Sequence, residues 1–229
     1  VYTRPVQVDA EVAADFEAAD EPAGDPALVT FQTTLTPYGQ WLDVPVCGRR
    51  LGRVWRPDPR VVGPGFVPYR TGGEWVATDA GWSFESDWDW GWAPFHYGRW
   101  CADASFGWVW VPGTQWASAW VDWRVGGGYI GWAPLPPRGV RLSDAHFIFV
   151  ERPRFAGQRV THYALPPERV REAQRVARPV RTVVDHRTHR APAGPPVNEM
   201  PAPDGGPVRP VHVAPPARGR VDRVIIRRH

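Results

Sequence analysis

The sequence feature that most constrains this chain is the clustering of its tryptophans. All 14 lie between Trp41 and Trp132, in a stretch that Gly or Pro interrupts in nearly every window of ten residues. Tryptophan brings a large apolar area to a core, while frequent Gly and Pro break helices. The buried surface must therefore be concentrated in this stretch, and the pattern favours short strands.

Three units of similar sequence follow one another here, which indicates internal repetition. They start at Tyr38, Tyr69 and Tyr97, and each continues with glycine and tryptophan, then with a second tryptophan within three residues of a glycine or proline. Aromatic residues favour pleated, half-buried surfaces, where cross-strand pairs contribute roughly 0.2–1 kcal/mol each. We therefore predict an all-β domain of antiparallel strands, arranged as a sheet, sandwich or barrel-like meander of about three tryptophan-rich repeats.

Charge divides the chain into three parts. Residues 1–30 carry one Arg and seven acids, residues 31–150 are neutral, and residues 151–229 carry 16 Arg and seven acids. The basic pI of about 9.2 therefore belongs to the C-terminal part. We predict an acidic flexible arm over 1–30, the tryptophan-rich β domain over 31–150 and a basic Pro/Arg-rich tail over 151–229.

A few elements can be predicted outside the repeats. Residues 140–150 are typical of a last strand that closes the domain, and residues 167–178 of a short helix with proline at its first position. The rest of the tail is rich in proline and is expected to order only by lying on another surface. Its β-prone pieces, 180–184 and 221–226, could add to an exposed sheet edge.

The chain has two cysteines, Cys47 and Cys101, and no CxxC or Cys/His cluster, so no metal site and no cofactor are expected. In an exported protein the two would form a disulfide, which is the interpretation we favour; in a reducing compartment they would be two buried apolar residues. The chain has no run of 18 apolar residues, so no transmembrane helix is predicted. The chain begins with Val, as would a mature protein after removal of its leader, or a truncated one.

Several ordered motifs carry a resemblance to a known family. They are Tyr38-Gly39-Gln40-Trp41, Val54–Pro57, His96–Trp100, Gly107–Gly113, Ala119–Arg124 and Gly131–Pro137. This series resembles the bacterial family called domain of unknown function 6600, whose members are typically exported by Gram-negative bacteria. The resemblance implies a location in the periplasm, at the outer-membrane surface or outside the cell. It implies no activity and no catalytic residues.

One group of polar residues invites a catalytic hypothesis. It consists of His96, Tyr97, Arg99, Glu85, Asp87 and Asp89. Paired carboxylates among aromatic side chains are typical of glycosidases. In a strand, however, the adjacent His96 and Tyr97 would face opposite ways, so we predict no enzyme. Arg99 and Arg124 are instead expected to stack on tryptophan rings and to pair with local acids.

Fourteen tryptophans are more than a small core needs, so we expect several to be exposed. The best candidates for such a surface are Trp88, Trp90, Trp92, Trp116, Trp120 and Trp123. Exposed aromatic surface of this kind usually marks a binding site, for sugars or for proline-rich peptides. With His96, Tyr97, Arg99 and Arg124 these residues form the candidate binding set.

We predict a non-enzymatic structural or binding component of the cell envelope or extracellular matrix. Its partner would be another copy or another envelope protein, reached through the Pro/Arg-rich tail, with acidic arm and basic tail forming a head-to-tail array. The alternative is a polysaccharide-binding module that uses exposed tryptophans as platforms. Nucleic acid is not expected as a partner, because no aromatic residue interleaves with the arginines after Tyr163.

Overall fold

The computed structural model describes residues 26–186, 189–216 and 220–224. Its helices are α1 (Pro26–Leu35), α2 (Pro59–Val62), α3 (Val160–Tyr163) and α4 (Pro167–Val176). Its strands are β1 (Gly39–Leu42), β2 (Val54–Pro57), β3 (Gly73–Thr78), β4 (Gly81–Ser86), β5 (Arg99–Asp103), β6 (Gly107–Val111), β7 (Val121–Gly126), β8 (Tyr129–Pro134), β9 (Ile148–Glu151), β10 (Arg178–Val180), β11 (Val183–Asp185) and β12 (Arg190–Pro192). Four short 3₁₀ helices lie at Thr36–Tyr38, Asp144–His146, Arg152–Arg154 and Val197–Glu199. The architecture confirms the all-β prediction.

The first and third sequence units form the two halves of one antiparallel sheet, ordered β1-β2-β6-β5. Trp41 lies opposite Trp55 in one half, and Trp100 lies opposite Trp110 in the other. The halves meet where Trp55 pairs with Trp110. Because two antiparallel central strands are related by a local two-fold, the repeated sequence produces an approximately symmetric sheet.

The glycine of the Tyr-Gly-x-Trp motif has a packing role in both halves. A Cβ on Gly39 would lie 2.6 Å from Nε1 of Trp55, and one on Gly98 would lie 2.7 Å from Nε1 of Trp110. Gly98 also has a φ of +63°, which favours glycine. The motif therefore lets each central indole lie flat against the neighbouring backbone.

The second sequence unit forms a separate hairpin, β3–β4, which packs on the second large sheet. That sheet has the order β10-β7-β8-β9, and Trp123 lies opposite Trp132 within it. Trp75 of β3 joins the two layers, because its ring lies 4.7 Å from that of Trp123 and 5.4 Å from that of Trp132. All three indoles are buried, so they form the centre of the core.

Residues 87–98 are turns rather than the strand that alternating tryptophans predict. Gly91 donates to the Trp88 carbonyl at 2.9 Å, and Tyr97 donates to that of Ala93 at 2.9 Å. The chain coils here because these local hydrogen bonds replace pairing with a strand. Trp88 and Trp90 consequently stack on each other, with ring centroids 5.0 Å apart, instead of sharing one face of a strand.

Three further sequence predictions need correction at their edges. The strand predicted over 140–150 is confined to β9, because turns and a 3₁₀ helix occupy the residues before it. Helix α4 confirms the helix predicted over 167–178, but Val176 is 43% exposed and the buried side chains are Ala173 and Ala177. The predicted boundary between arm and domain, at residue 30, falls inside α1.

Much of the tail lies on its own domain. Strand β10 extends the second sheet along the edge of β7, but it shares only Val180 with the β-prone piece predicted over 180–184. Val183 and Val184 pair with β12 instead, and residues 191–195 are buried. The other β-prone piece, 221–226, forms no strand over 221–224, and its remainder lies outside the described residues. Residues 1–25, which make up most of the predicted acidic arm, also lie outside them.

Cys47 and Cys101 form a disulfide that ties the loop after β1 to strand β5. The loop turns at Cys47 and Gly48, both with positive φ, and hydrogen bonds of 2.8 and 2.9 Å between Val46 and Arg49 close the turn. Among the described residues, we find no helix with the length and apolar character needed to cross a membrane.

Candidate functional site

Four buried indoles line a groove through which the tail runs; we call it the tail groove. Its tryptophans are Trp82, Trp116, Trp120 and Trp123. Gly194 of the tail has a φ of +81°, and a Cβ there would lie 2.9 Å from Cδ1 of Trp82 and 3.0 Å from Cε2 of Trp123. Only glycine brings the tail backbone this close to the two rings.

Trp82 is the main hydrogen-bonding residue of the groove. Its backbone N–H donates to the Ala193 carbonyl at 3.0 Å, and its indole N–H donates to the Pro195 carbonyl at 2.9 Å. Proline has no N–H, so a proline-rich segment offers mainly carbonyl acceptors. Indole and backbone donors on the domain are therefore the complementary partners for such a segment.

The tail also lies along the opposite edge of the β3–β4 hairpin. Val211 donates to the Ala77 carbonyl at 2.9 Å and accepts from Asp79 at 3.1 Å. The Asp79 carboxylate in turn accepts from the Val213 N–H at 2.9 Å and contacts Nδ1 of His212 at 2.5 Å. Burial works to raise the pKa of Asp79, but these two hydrogen bonds outweigh it and lower the pKa. Tail segments thus cover both edges of the hairpin.

Two histidines of the tail cover the outer part of the groove. Nε2 of His189 lies 2.7 Å from the Trp116 carbonyl oxygen, and the His186 ring meets the Trp116 ring edge-on at 5.5 Å. The His189 ring also lies 5.9 Å from that of Trp120. Burial lowers the pKa of both histidines, and the nearby Arg99 lowers that of His189 further. The tail therefore lies in the groove with both imidazoles favouring their neutral form.

The floor of the groove contains a buried arginine. Arg99 is 2% exposed, and its guanidinium carbon lies 3.6 Å from the centroid of the Trp120 ring. It also donates to the Gly98 carbonyl at 2.8 Å. Burial lowers its pKa to about 9. The predicted stacking of Arg99 on a tryptophan is confirmed, whereas Arg124 stacks on Phe147 instead.

His96 lies beside this floor with its ring stacked on Trp116, centroids 6.0 Å apart. Its Nδ1 lies 3.1 Å from the Ala117 carbonyl oxygen and 3.0 Å from that of Ser118. Burial lowers the pKa of His96 to about 4. The side chain is therefore a neutral structural donor near neutral pH.

The expectation that several of the six candidate tryptophans are exposed is wrong. Trp90, Trp116, Trp120 and Trp123 are buried, and Trp88 and Trp92 are half-buried. The physical reason is that helix α1 covers one part of this aromatic surface and the tail covers another. The structure brings Trp116, Trp120, Trp123, His96 and Arg99 together around the tail groove.

The remaining predicted site residues lie elsewhere. Trp92 and Tyr97 contact Phe31 of α1, with ring centroids 6.0 and 5.5 Å apart. The Tyr97 hydroxyl donates to the Asp222 carbonyl and accepts from the same residue's N–H, each at 3.1 Å. Arg124 pairs with Asp144 at 2.7 Å on another surface. These residues anchor structural contacts.

Two of the three acids of the catalytic hypothesis form ion pairs with arginines from the tail. Asp87 pairs with Arg159, and Asp89 lies 3.3 Å from Arg223. Within the part of the chain that the structure describes, no group of three or more His, Cys, Asp or Glu side chains could hold a metal ion. Asp87 and Asp89 therefore form ion pairs at the surface.

Sequence reasoning missed Trp82, His186, His189 and Gly194 as groove residues. Trp82 resembles other repeat tryptophans, and its partner Pro195 is 113 positions away. The one available signal was a glycine inside a proline-rich run, Ala193-Gly194-Pro195. Such a glycine indicates that the backbone approaches another group closely, but it does not identify that group.

One comparison with known proteins identifies a family. Residues 32–139 match the model of a family of unknown function, DUF6600. No curated protein matches the chain, and no solved structure does. The match includes every tryptophan of the groove and ends before the tail segments that fill it.

Proposed function

We propose a structural role for this chain, whose residues 32–139 belong to the DUF6600 family of unknown function. The role is that of a non-enzymatic component of the bacterial cell envelope or extracellular matrix. The observation that carries the proposal is the tail groove: its aromatic surface binds an extended, proline-rich segment, here supplied by the chain's own tail.

The disulfide supports the exported location. Cys47 and Cys101 are bonded, and disulfides persist in oxidising compartments such as the periplasm and the cell exterior. The bond holds a surface loop against β5. In a reducing cytosol the two cysteines would remain thiols instead.

The surroundings of His96 and the acids support a role without catalysis. A general acid or base needs a pKa near the working pH and access to a substrate. His96 is 8% exposed with its pKa lowered to about 4, and Asp87 is paired with Arg159. These groups are placed for packing and surface pairing.

Self-association would occur by exchange of tails between copies. The contacts of Ala193, Gly194 and Pro195 with the groove are the same whichever copy supplies the segment.

The compartment is tested by thiol labelling in intact cells. We expect the protein in the envelope or extracellular fraction, with both cysteines unreactive to maleimide until a reductant is added. Recovery from the cytoplasm with both thiols labelled would contradict the proposal.

Tail exchange is tested by light scattering on the wild type, on a chain lacking residues 179–229 and on two point variants. Deletion should abolish oligomers, and Gly194→Ala should reduce them. Gly205→Ala is the matched control, because Gly205 has a φ of +80° but a Cβ there would meet nothing within 4 Å. An oligomer mass that the deletion leaves unchanged would rule out the tail as the link.

A second candidate function is polysaccharide binding. Trp88 and Trp92 are half-buried and retain some exposed ring surface, which can stack on sugars. Retardation in gels containing polysaccharide, abolished by Trp88→Ala together with Trp92→Ala, would favour this function over the structural one.

A further inference from the structure

Five exposed arginines lie on two neighbouring loops at one side of the first sheet. They are Arg49, Arg50 and Arg53 on residues 47–53, and Arg138 and Arg141 on residues 138–141. We call these two segments the basic loops. Neither contains an aromatic residue, so their exposed surface is dominated by guanidinium groups.

A glycine brings the basic loops together. Gly139 has a φ of +73°, and a Cβ there would lie 2.6 Å from the guanidinium carbon of Arg49. Arg138 is the residue before this contact, and Arg141 follows two residues after it. Since consecutive Cα atoms are about 3.8 Å apart, the two loops place at least three arginines within roughly 10 Å.

The apolar side chains beneath the loops fix this arrangement. Leu51 and Val140 both pack against the same cluster, which contains Val54, Val109 and Cys101. The disulfide ties the first loop to β5 at Cys101. The arginines therefore extend from a surface that is already ordered, which reduces the entropy cost of binding an anion.

Four of the five arginines of the basic loops lack an acidic partner among the described residues. Arg49, Arg50, Arg53 and Arg141 make no ion pair with any acid in the described part of the chain. Two acids, Asp43 and Asp103, lie near the loops, so five arginines still leave a net positive charge. The Asp103 carboxylate accepts backbone N–H groups at 2.6, 2.8 and 3.1 Å, and Asp43 precedes the first loop.

Some tail arginines, by contrast, already pair with acids of the same chain. Arg181 pairs with Asp122 at 3.2 Å, and Arg223 with Asp89 at 3.3 Å. A head-to-tail array of acidic arm on basic tail would have to compete with these pairs. The basic loops are the better partner for the arm.

We propose that the basic loops bind the acidic segment 9–25 of a second copy of this chain. That segment carries all seven acids of the arm. Its charge is opposite to that of the loops, and arginine forks match carboxylates in geometry. The proposal deepens the proposed self-association, but through a different surface from the tail groove.

The position of α1 favours a second copy over the same one. Phe31 of α1 packs on Trp110, 5.1 Å between ring centroids, while Val109, the adjacent residue of β6, faces the cluster under the basic loops. Adjacent strand residues face opposite sides of a sheet. Helix α1, which begins at Pro26, therefore packs on the face of the sheet opposite to the basic loops of its own copy.

Sedimentation velocity on the full chain tests the proposal. At about 20 mM NaCl the average mass should rise with protein concentration, and at about 500 mM NaCl it should fall because salt screens exposed charges. Arg49→Gln with Arg50→Gln should weaken association by at least about tenfold. Arg171→Gln with Arg175→Gln, an equal charge change on exposed arginines of α4, should leave it unchanged.

A mixing experiment identifies the two contacting surfaces. The loop variant, Arg49→Gln with Arg50→Gln, keeps its acidic arm. The arm variant keeps its basic loops and carries Asp15→Asn, Glu17→Gln, Asp20→Asn and Glu21→Gln. Each should be monomeric alone, and the two should form a one-to-one complex when mixed. A chain that is monomeric in all salts would overturn the proposal. Association that resists both salt and the loop variant would also overturn it. If Gly194→Ala reduced that association, tail exchange would be the mode of self-association that the results support.

Discussion

Two groups of tryptophans in this protein are equally buried but depend on different parts of the chain. Trp55 and Trp110 are enclosed by the first sheet and by α1, all within residues 26–111. Trp82 and Trp116 are enclosed by residues that lie up to 113 positions further along. The first group is therefore buried by the domain itself, whereas the second is buried by the domain and its tail together.

The largest effect is expected in the first group. Trp110→Ala removes a fully buried indole from the centre of the symmetric sheet, and such truncations cost about 3–5 kcal/mol. Urea unfolding should show this loss in the whole domain. Trp108→Ala, at a half-buried position of the same strand, is the control and should cost clearly less; equal losses would contradict the proposed role of the central pair.

Acid should weaken the second group more than the first. His96, His186 and His189 all have folded-state pKa values below their usual value of 6.5, chiefly because of burial. The unfolded chain therefore binds more protons, and stability falls as the pH drops below 6.5. For His96, with a pKa of about 4, the loss approaches about 3 kcal/mol by pH 4.

This pH dependence is measured by urea unfolding between pH 7 and pH 4. His96→Gln should flatten the curve. Burial raises the pKa of Asp122, which works in the opposite direction at the acid end. A free energy of unfolding that is constant from pH 6.5 to pH 4.5 would contradict the buried, neutral state of the histidines.

One methyl group added at Gly194 should weaken the packing of the tail in its groove. Gly194→Ala and Gly205→Ala both place alanine at positive φ, which costs about 1–2 kcal/mol. Gly194→Ala adds a clash with Trp82 and Trp123, which costs roughly a further 1–3 kcal/mol. Limited proteolysis should cut residues 189–213 faster in the first variant; the same rate in both would mean that the groove does not hold the tail.

The smallest effect is expected from one tail histidine. His189→Ala removes the hydrogen bond to the Trp116 carbonyl, worth about 1 kcal/mol net. Quenching of tryptophan fluorescence by iodide should increase slightly as the tail loosens. His162→Ala, at an exposed histidine outside the groove, is the comparison and should leave the quenching unchanged.

The tetrapeptide Gly-Trp-Ala-Pro shows how far the sequence predicts this structure. It occurs twice, as turns at Gly91–Pro94 and as strand at Gly131–Pro134. In the second copy a Cβ on Gly131 would meet the Phe149 ring of β9, and in the first a Cβ on Gly91 would meet Ser86. Both glycines mark close approaches, but neighbouring strands decide which structure forms.

Local patterns therefore predicted the local elements well. The spacing of Tyr, Gly and Trp gave the strands of the symmetric sheet, and Pro167 marked the start of α4. The tail groove could not be predicted in the same way. Its contacts join Trp82 to Pro195 and Ala77 to Val211, and no periodicity connects residues so far apart.

Amide hydrogen exchange on the full chain tests most directly whether the tail fills the groove. The N–H groups of Trp82, Ala193, Val211 and Val213 donate to the carbonyls of Ala193, Thr182 and Ala77 and to the Asp79 carboxylate. All four should exchange far more slowly than amides of an unfolded chain, and Gly194→Ala should speed the exchange at Trp82 and Ala193 first. Exchange at unfolded-chain rates for these amides, with slow exchange at Trp55 and Trp110, would show an open groove and contradict the account.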